Sequence, residues 1–171
     1  MGIDWCKENI SSEFPNFHYE HADIYNKMYN SGGTEKSSEY KFNYDDNMFD
    51  FVFLTSVFTH MHTSDVENYL KEITRVLKVG GRCLITFFLL NEESEKLINS
   101  RQSSQNLIYK LDNYSFTKSK EVPENAIGFS EDFIRELFVK NSLRIIEPIY
   151  YGSWCGRKSY LSYQDIIVAQ K

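Results

Sequence analysis

The chain has 171 residues, of which 42% are hydrophobic and 16% aromatic, so its composition suits one folded domain with a sizeable core and excludes a disordered chain. The net charge is −5 and no run of Lys and Arg offers a phosphate-binding surface, which argues against nucleic acid or an anionic membrane as a partner. The longest apolar run, residues 83–90, is too short to span a bilayer.

The cysteines and the N-terminal residues bear on the compartment. There are three cysteines, Cys6, Cys83 and Cys155, and they lie far apart in the sequence. An odd number of distant cysteines favours reduced thiols over a disulfide framework or a zinc knuckle. The opening residues MGIDWCKENI have neither the basic start nor the apolar stretch of a signal peptide. The sequence therefore predicts a cytoplasmic protein.

The first quarter of the chain predicts a helix, a strand and a loop. Residues 3–11 have helical spacing of apolar side chains, and residues 16–24 alternate as a short strand does. Residues 26–47 are rich in Asn, Ser, Gly and Asp and predict a loop, which Phe42 and Tyr44 attach to the core.

The next segment predicts a strand–helix–strand unit. Residues 49–54 (FDFVFL) are apolar on both faces, as in a central strand covered by helices on both sides. A helix follows, with Ser64 and Glu67 at capping-box spacing and Gly80 as its C-terminal cap. Residues 82–90 (RCLITFFLL) predict a second buried strand. The apolar stripe of the helix is formed by Val66, Leu70, Ile73 and Leu77.

The last part of the chain predicts an irregular segment, a helix and two strands. Residues 91–127 are polar and irregular, with a hairpin pattern around residues 107–116. Ser130 begins a helix whose apolar side includes Phe133, Leu137 and Phe138. Residues 143–152 and 159–171 predict two strands, and the short SWCGRK turn between them indicates antiparallel pairing.

Polar side chains follow three of the predicted strands. In an open α/β sheet, ligands bind beyond the carboxyl ends of the strands. Asp23, the Thr55–Ser56–Val57 run and Asn91 occupy such positions. A capping role explains these residues about as well as a ligand-binding role does. Asp23 would then cap a turn, and Ser56 and Thr59 would cap a helix or a turn.

Several of these segments together resemble a known family. FDFVFLTSVFTHM, followed by VENYLKEITRVLKVGGRCLITFF, resembles the middle of a class I S-adenosylmethionine-dependent methyltransferase of the type 11-like group. FHYEHADIYN resembles the third strand of that fold, and the tail YGSWCGRKSYLSYQDIIVAQK resembles a bacterial subgroup. The resemblance implies a single domain over residues 1–171, a Rossmann-like α/β sheet with helices on both faces, and S-adenosylmethionine as cofactor.

The resemblance also implies roles for individual residues. Asp23 would accept a hydrogen bond from the adenine amino group, and Ile24 would pack on the adenine ring. Asp50, Gly80 and Gly81 would be structural. The methionine end of the cofactor would be lined by Thr55, Ser56, Val57 and Phe58.

The sequence departs from the family at its beginning. The first two strands and the glycine-rich cofactor loop are missing, and MGIDWCKENI resembles the helix after the second strand. The expected domain is therefore partial: a fragment of a longer reading frame, a domain completed by another chain, or a rearranged sheet.

Further candidates are His60 and residues of the tail. His60 would be a general base beside the methyl acceptor, and the alternative is a loop histidine. Three residues of the tail would bind substrate, namely Trp154, Arg157 and Tyr163. The alternative for Trp154 is packing in the core, and the alternative for Arg157 is solvent exposure. The histidine pairs at 18/21 and 60/62 lack further ligands at suitable spacing, so no metal site is predicted.

Two functions follow from this pattern. The first is methyl transfer to a small-molecule or glycan-type acceptor, by this chain or by a longer one, with residues 91–127 as an insertion that covers the substrate. The second is a non-catalytic, degenerate module that acts in binding or assembly. An exposed strand edge would favour a homo-oligomer or a completing chain.

Overall fold

The computed structural model describes residues 2–171 as four helices and two four-stranded sheets. The helices are Gly2–Cys6 (α1, continued by a π-helical turn at Lys7–Ser11), Thr63–Val76 (α2), Glu92–Asn99 (α3) and Glu131–Lys140 (α4). The strands are Phe49–Leu54 (β1), Leu77–Phe87 (β2), Leu89–Leu90 (β3), Tyr109–Lys110 (β4), Ser115–Thr117 (β5), Ile127–Ser130 (β6), Arg144–Ile145 (β7) and Asp165–Gln170 (β8). No helix among residues 2–171 is long and apolar enough to cross a membrane.

The main sheet has the strand order β1-β2-β8-β7. β1 and β2 run parallel and are joined through α2, which confirms the predicted strand–helix–strand unit. β8 pairs antiparallel with both β2 and β7, so the predicted antiparallel pairing at the C-terminus is also confirmed. The α/β class predicted from the sequence is therefore correct.

The smaller sheet has the order β3-β6-β5-β4 and is built mainly from the second half of residues 91–127. β4 and β5 pair antiparallel across a short turn, which confirms the predicted hairpin. β3 and β6 pair parallel and connect this sheet to the end of β2.

One apolar core lies between the main sheet and two helices. The stripe predicted for α2 is buried, and α4 packs its own apolar side beside it. Burying one such side chain stabilises a fold by about 1.5–3 kcal/mol. The core residues of the two helices are Val66, Leu70, Ile73, Phe133, Ile134, Leu137 and Phe138.

The helix α2 ends earlier than predicted, and Gly80 does not cap it. The chain is already extended at Leu77, directly after Val76. Gly80 instead takes a positive φ of 81° within the bend of β2. At Gly81 a Cβ atom would lie 2.9 Å from the carbonyl oxygen of Lys78, so this bend requires a glycine.

Only one face of β1 is covered, so the prediction of burial on both faces is wrong for this strand. Val52 and Leu54 point toward the core, whereas Phe51 and Phe53 are 51% and 65% exposed. Their ring centroids lie 6.4 Å apart in a stacked pair. β1 is also an edge strand, and no other strand among residues 2–171 pairs with its outer side.

The predicted strand at residues 16–24 is not formed. Its residues are irregular apart from a single bridge between Ile24 and Glu35. A strand needs a neighbour for its backbone hydrogen bonds, and no strand among the described residues pairs with this segment.

The loop at residues 26–47 is attached to the core as predicted. The rings of Phe42 and Tyr69 lie 5.0 Å apart, and those of Tyr44 and Phe49 lie 4.9 Å apart. The expected attachment to the core is therefore confirmed for Phe42, whereas Tyr44 is 39% exposed and contacts Phe49 at the start of β1.

Candidate functional site

A tight turn follows the carboxyl end of β1 and begins the candidate site. Ser56 takes a left-handed φ of 57°, which is costly for a residue other than glycine. Its backbone N–H donates to Oγ1 of Thr86 (2.9 Å), and its hydroxyl donates to Oε1 of Gln164 (3.1 Å). Thr86 donates to the same Gln164 oxygen at 2.6 Å. These bonds hold the turn against β2 and the segment that leads into β8.

A cavity of about 300 Å³ opens beside this turn. Its volume lies at the lower end of the range of small-molecule sites. Four residues predicted from the sequence meet in its wall, namely Ile24, Ser56, Val57 and His60. The other lining residues are Asn26, Tyr29, Asn30, Ser37, Met61 and Tyr69. We call this space the His60 cavity.

The ring of His60 is held in one orientation. Its Nδ1 atom lies 2.8 Å from the backbone carbonyl oxygen of Glu124, and because a carbonyl only accepts, Nδ1 carries the proton. Nε2 is then the unprotonated nitrogen of the neutral ring, 3.4 Å from the hydroxyl of Tyr29. The Tyr29 and His60 rings meet edge to face, with centroids 5.0 Å apart. His60 therefore lines the cavity, and its unprotonated nitrogen can accept a hydrogen bond.

Asp23 closes a loop beside the His60 cavity. Its Oδ1 accepts from Nδ2 of Asn30 at 3.1 Å, and its Oδ2 accepts from the hydroxyl of Thr34 at 2.8 Å. The hydrogen bonds from Asn30 and Thr34 lower the pKa of the Asp23 carboxyl. This arrangement favours the turn-cap alternative for Asp23, while Ile24, the next residue, reaches the cavity wall.

Besides Asp23, two of the predicted cofactor residues lie outside the cavity. Phe58 is fully buried in the core and packs edge to face on Phe87, with ring centroids 5.4 Å apart. The prediction that Phe58 lines the cofactor is therefore wrong in this structure, because its side chain points inward. Thr55 is exposed and does not line the His60 cavity.

Trp154 and Arg157 are buried around one carboxylate instead of facing a substrate. The indole N–H of Trp154 donates to Oδ2 of Asp165 at 2.7 Å, and Arg157 donates to Oδ1 at 3.2 Å and to Glu93 at 2.7 Å. Burial raises the pKa of Asp165 to about 6, against the lowering effect of these donors. The structure thus gives Trp154 and Arg157 a structural role, in place of the predicted substrate contact.

Tyr163 joins the C-terminal segment to residues 91–127. Its hydroxyl lies 2.9 Å from the hydroxyl of Ser104 and accepts from Nε2 of Gln105 at 2.8 Å. The ring is partly exposed, but it does not line the His60 cavity. The structure does not bring Tyr163 together with His60.

None of the six other lining residues was predicted from the sequence, and neither was Glu124, whose carbonyl contacts His60. Asn26 donates to the carbonyl of His60 at 3.0 Å, and its Oδ1 accepts from the backbone of Met28 and so closes a local turn. Tyr69 could have been found from the sequence, because helical spacing places it on the inward side of α2. Burial raises the pKa of Tyr69 to about 12, so its hydroxyl stays protonated. Tyr29 and Glu124 lie in irregular segments, where no periodic pattern marks them.

A larger cavity lies elsewhere, at the amino end of β1. It has a volume of about 920 Å³ and lies between residues 16–20 and 41–49. It contains none of the predicted site residues, and ligands of open α/β sheets bind at the opposite, carboxyl end of the strands. The His60 cavity is therefore the candidate site. Among residues 2–171, no group of three or more His, Cys, Asp or Glu side chains is arranged to hold a metal ion.

Comparison with known proteins supports the resemblance seen in the sequence. A family model described as a methyltransferase domain matches residues 3–85, which include β1, α2 and most of β2. A SAM-dependent methyltransferase from Methanosarcina mazei has 24% identity and a TM-score of 0.53, over 80% of this chain and 65% of that chain. A protein from Pyrococcus horikoshii has 15% identity and a TM-score of 0.56, over 98% of this chain and 66% of that chain.

A third structure has the same fold but a much longer chain. It is an O-methyltransferase family protein from Burkholderia thailandensis, with 13% identity and a TM-score of 0.51, over 81% of this chain and 35% of that chain. The present chain thus spans less than two thirds of the length of each of these three proteins. The matched segment is thus similar to a methyltransferase domain, and the chain shares the α/β fold of these methyltransferase structures.

Proposed function

We propose that the chain binds S-adenosylmethionine in the His60 cavity and takes part in methyl transfer to a small-molecule or glycan-type acceptor. One observation carries this proposal: Ile24, Ser56, Val57 and His60 line a single cavity at the carboxyl end of β1. The resemblance assigns the first three to the cofactor and leaves His60 beside the acceptor. Apolar walls with a few polar groups are what a nucleoside-sized ligand requires.

Most residues of the cavity would bind the cofactor, and His60 would transfer a proton. The cofactor, when bound, supplies an electrophilic methyl group for in-line displacement. Ile24 and Val57 offer apolar surface to a ring, and the backbone turn at Ser56 fixes the wall. Nε2 of His60 would take the proton of an acceptor hydroxyl, while Nδ1 keeps its hydrogen bond to the carbonyl of Glu124 and steadies the charged ring.

Part of the usual cofactor site is not supplied by the described residues. The glycine-rich loop and the ribose-binding acid of the family have no counterpart among residues 2–171. We therefore propose that full activity depends on further residues, from a longer chain or from a partner. Residues 91–127 would cover the acceptor, since Glu124 of this segment already contacts His60.

Titration calorimetry with S-adenosylhomocysteine tests the cofactor proposal. We expect binding in the micromolar range, and Ile24→Asp should weaken it by about tenfold or more because it places a charge in the apolar wall. Val79→Asp is the matched control, because Val79 is 86% exposed and distant from the cavity wall. A folded chain that gives no binding signal would contradict the proposal.

A second candidate is a binding or assembly module, and the free side of β1 favours it. Phe51 and Phe53 are exposed beside an unpaired strand edge, a combination that promotes pairing with another chain. Light scattering should then show an oligomer that Phe53→Lys dissociates and Val139→Lys, an exposed substitution on α4, leaves intact. A monomeric wild-type chain that binds S-adenosylhomocysteine would decide for the enzyme.

We also propose a cytoplasmic location. The cysteines, Cys6, Cys83 and Cys155, are all free thiols in the structure, and the latter two are buried. Burial raises the pKa of Cys83 to about 12, so this thiol is unreactive. Fractionation of the native host with an antibody against the chain would test the location.

A further inference from the structure

A second cavity, of about 260 Å³, adjoins the His60 cavity and shares Asn26 and Ser37 with it. We propose that it binds the ammonium group of a small molecule that also carries a hydroxyl, such as an amino alcohol or an amino sugar. The inference rests on the proposed function only in calling this molecule the methyl acceptor. Binding of the ammonium group stands on the cavity alone.

The first observation is a buried carboxylate with one oxygen atom that has no hydrogen-bond donor. The side chain of Glu124 is only 8% exposed, and its Oε2 atom has no hydrogen-bond donor among residues 2–171. Its Oε1 atom lies 3.7 Å from Nε2 of His62, which is too long for a hydrogen bond. A buried charge without a donor is costly, so this wall of the cavity lacks an N–H group that a ligand can supply.

The second observation is the charge of the surrounding groups. Asp65 adds a second carboxylate to the cavity wall, and burial raises the pKa of its carboxyl. Lys36 lines the rim, but its ammonium group is exposed and pairs with Glu39 at 3.1 Å. His62 and Tyr25 are the remaining titratable groups of the wall. Two carboxylates and a lysine engaged elsewhere favour a cation over an anion.

The third observation is the position of Glu124 between the two cavities. Its side chain lines the second cavity, while its backbone carbonyl accepts the hydrogen bond from Nδ1 of His60. A molecule anchored at the carboxylate by its ammonium group would therefore extend toward His60, whose Nε2 can accept a hydroxyl proton. This geometry is the reason for choosing an acceptor with both groups.

Nuclear magnetic resonance titration with three sugars tests the inference without cofactor. Glucosamine, glucose and N-acetylglucosamine differ at one carbon, and only glucosamine carries a positive charge. At slightly acidic pH we expect glucosamine to shift the backbone resonances of His62, Asp65 and Glu124, with no comparable shift from the two neutral sugars. Equal shifts from all three sugars, or none from glucosamine, would overturn the inference.

Substitution of Glu124 adds a second arm. Glu124→Gln should weaken glucosamine binding by about tenfold, since it removes the charge and keeps the size. Glu121→Gln is the matched control, because Glu121 is exposed on the same segment. Unchanged affinity in a folded Glu124→Gln chain would refute the site, and the sugar series on the wild-type chain decides the question if that variant does not fold. Loss of S-adenosylhomocysteine binding would refute the proposed function but leave this result unaffected.

Discussion

Nδ1 of His60 lies 2.8 Å from the carbonyl oxygen of Glu124, although 64 residues separate the two in the sequence. The hydrogen bond ties the turn after β1 to the segment at residues 91–127. It also decides which ring nitrogen faces the His60 cavity. The properties of His60 therefore depend on a residue that no local pattern connects to it.

The first prediction concerns the tautomer of His60. Because the Glu124 carbonyl can only accept, we expect the neutral ring to carry its proton on Nδ1. Nitrogen chemical shifts of the ring, measured with ¹⁵N-labelled histidine, report this directly. Tyr29→Phe should leave the tautomer unchanged, because it removes only the contact at Nε2. A ring protonated on Nε2 would contradict the role of His60 as a base in this cavity.

The second prediction concerns Arg75, which attaches the loop at residues 26–47 to α2. Arg75 donates to the buried Glu72 at 2.7 Å and to the backbone carbonyls of Phe42 and Tyr44. We expect Arg75→Ala to lower the free energy of unfolding by about 2–3 kcal/mol, because Glu72 loses its charged donor. Urea unfolding measures the change. Lys71→Ala, on the exposed side of the same helix, should change stability by less than about 0.5 kcal/mol.

The same contact predicts a pH dependence. Burial opposes ionisation of Glu72, but hydrogen bonds from Arg75 and the Phe42 backbone outweigh it and lower the pKa of Glu72. A lowered pKa stabilises the fold above the unfolded pKa of about 4.3, and the contribution is lost as the pH falls through the folded pKa. The stability difference between wild type and Arg75→Ala should therefore shrink below about pH 4. An equal difference at pH 7 and in acid would argue against this origin.

The third prediction concerns Thr59, whose buried hydroxyl has no hydrogen-bond partner among the described residues. Thr59→Val keeps the shape and removes the polar group, so it should raise the free energy of unfolding by about 1 kcal/mol. Thr86→Val is the comparison, because the Thr86 hydroxyl bonds both Ser56 and Gln164 and its loss should destabilise the fold by about 1 kcal/mol. Thermal unfolding followed by circular dichroism separates the two. Destabilisation by Thr59→Val would indicate a partner for that hydroxyl.

The fourth prediction tests the structural role of Arg157. Arg157→Ala would leave the buried carboxylate of Asp165 without its guanidinium, and we expect a loss of about 3 kcal/mol in unfolding free energy. Arg135→Ala removes more exposed pairs with Glu131 and Glu147 and should cost about 1 kcal/mol or less. If the Arg157→Ala chain had normal stability but failed to bind an anionic acceptor, the result would favour the substrate contact predicted for Arg157.

Local sequence patterns were sufficient for the central unit of the fold. The apolar period of α2, from Val66 to Ile73, identified its buried side because helical spacing places those side chains together wherever the helix lies. Ser56 and Val57 were found because they lie just beyond β1, whereas Ile24 followed from the family resemblance and His60 from the acid–base chemistry of its ring. A family model described as a methyltransferase domain matches a range, residues 3–85, that includes most of these segments.

Other features depended on contacts between distant parts of the chain. Residues 16–24 alternate like a strand but form none, because pairing depends on a neighbour that the local sequence does not specify. Phe58 and Val57 are adjacent, yet one is buried in the core and the other faces the cavity, since a turn has no fixed period. Glu124 reaches His60 only through the packing of the second sheet. The sequence by itself thus determined the strand–helix–strand unit, the C-terminal strands and one edge of the site. The tertiary structure alone decided which side chains meet there, because hydrogen bonds and burial join residues that no local spacing relates.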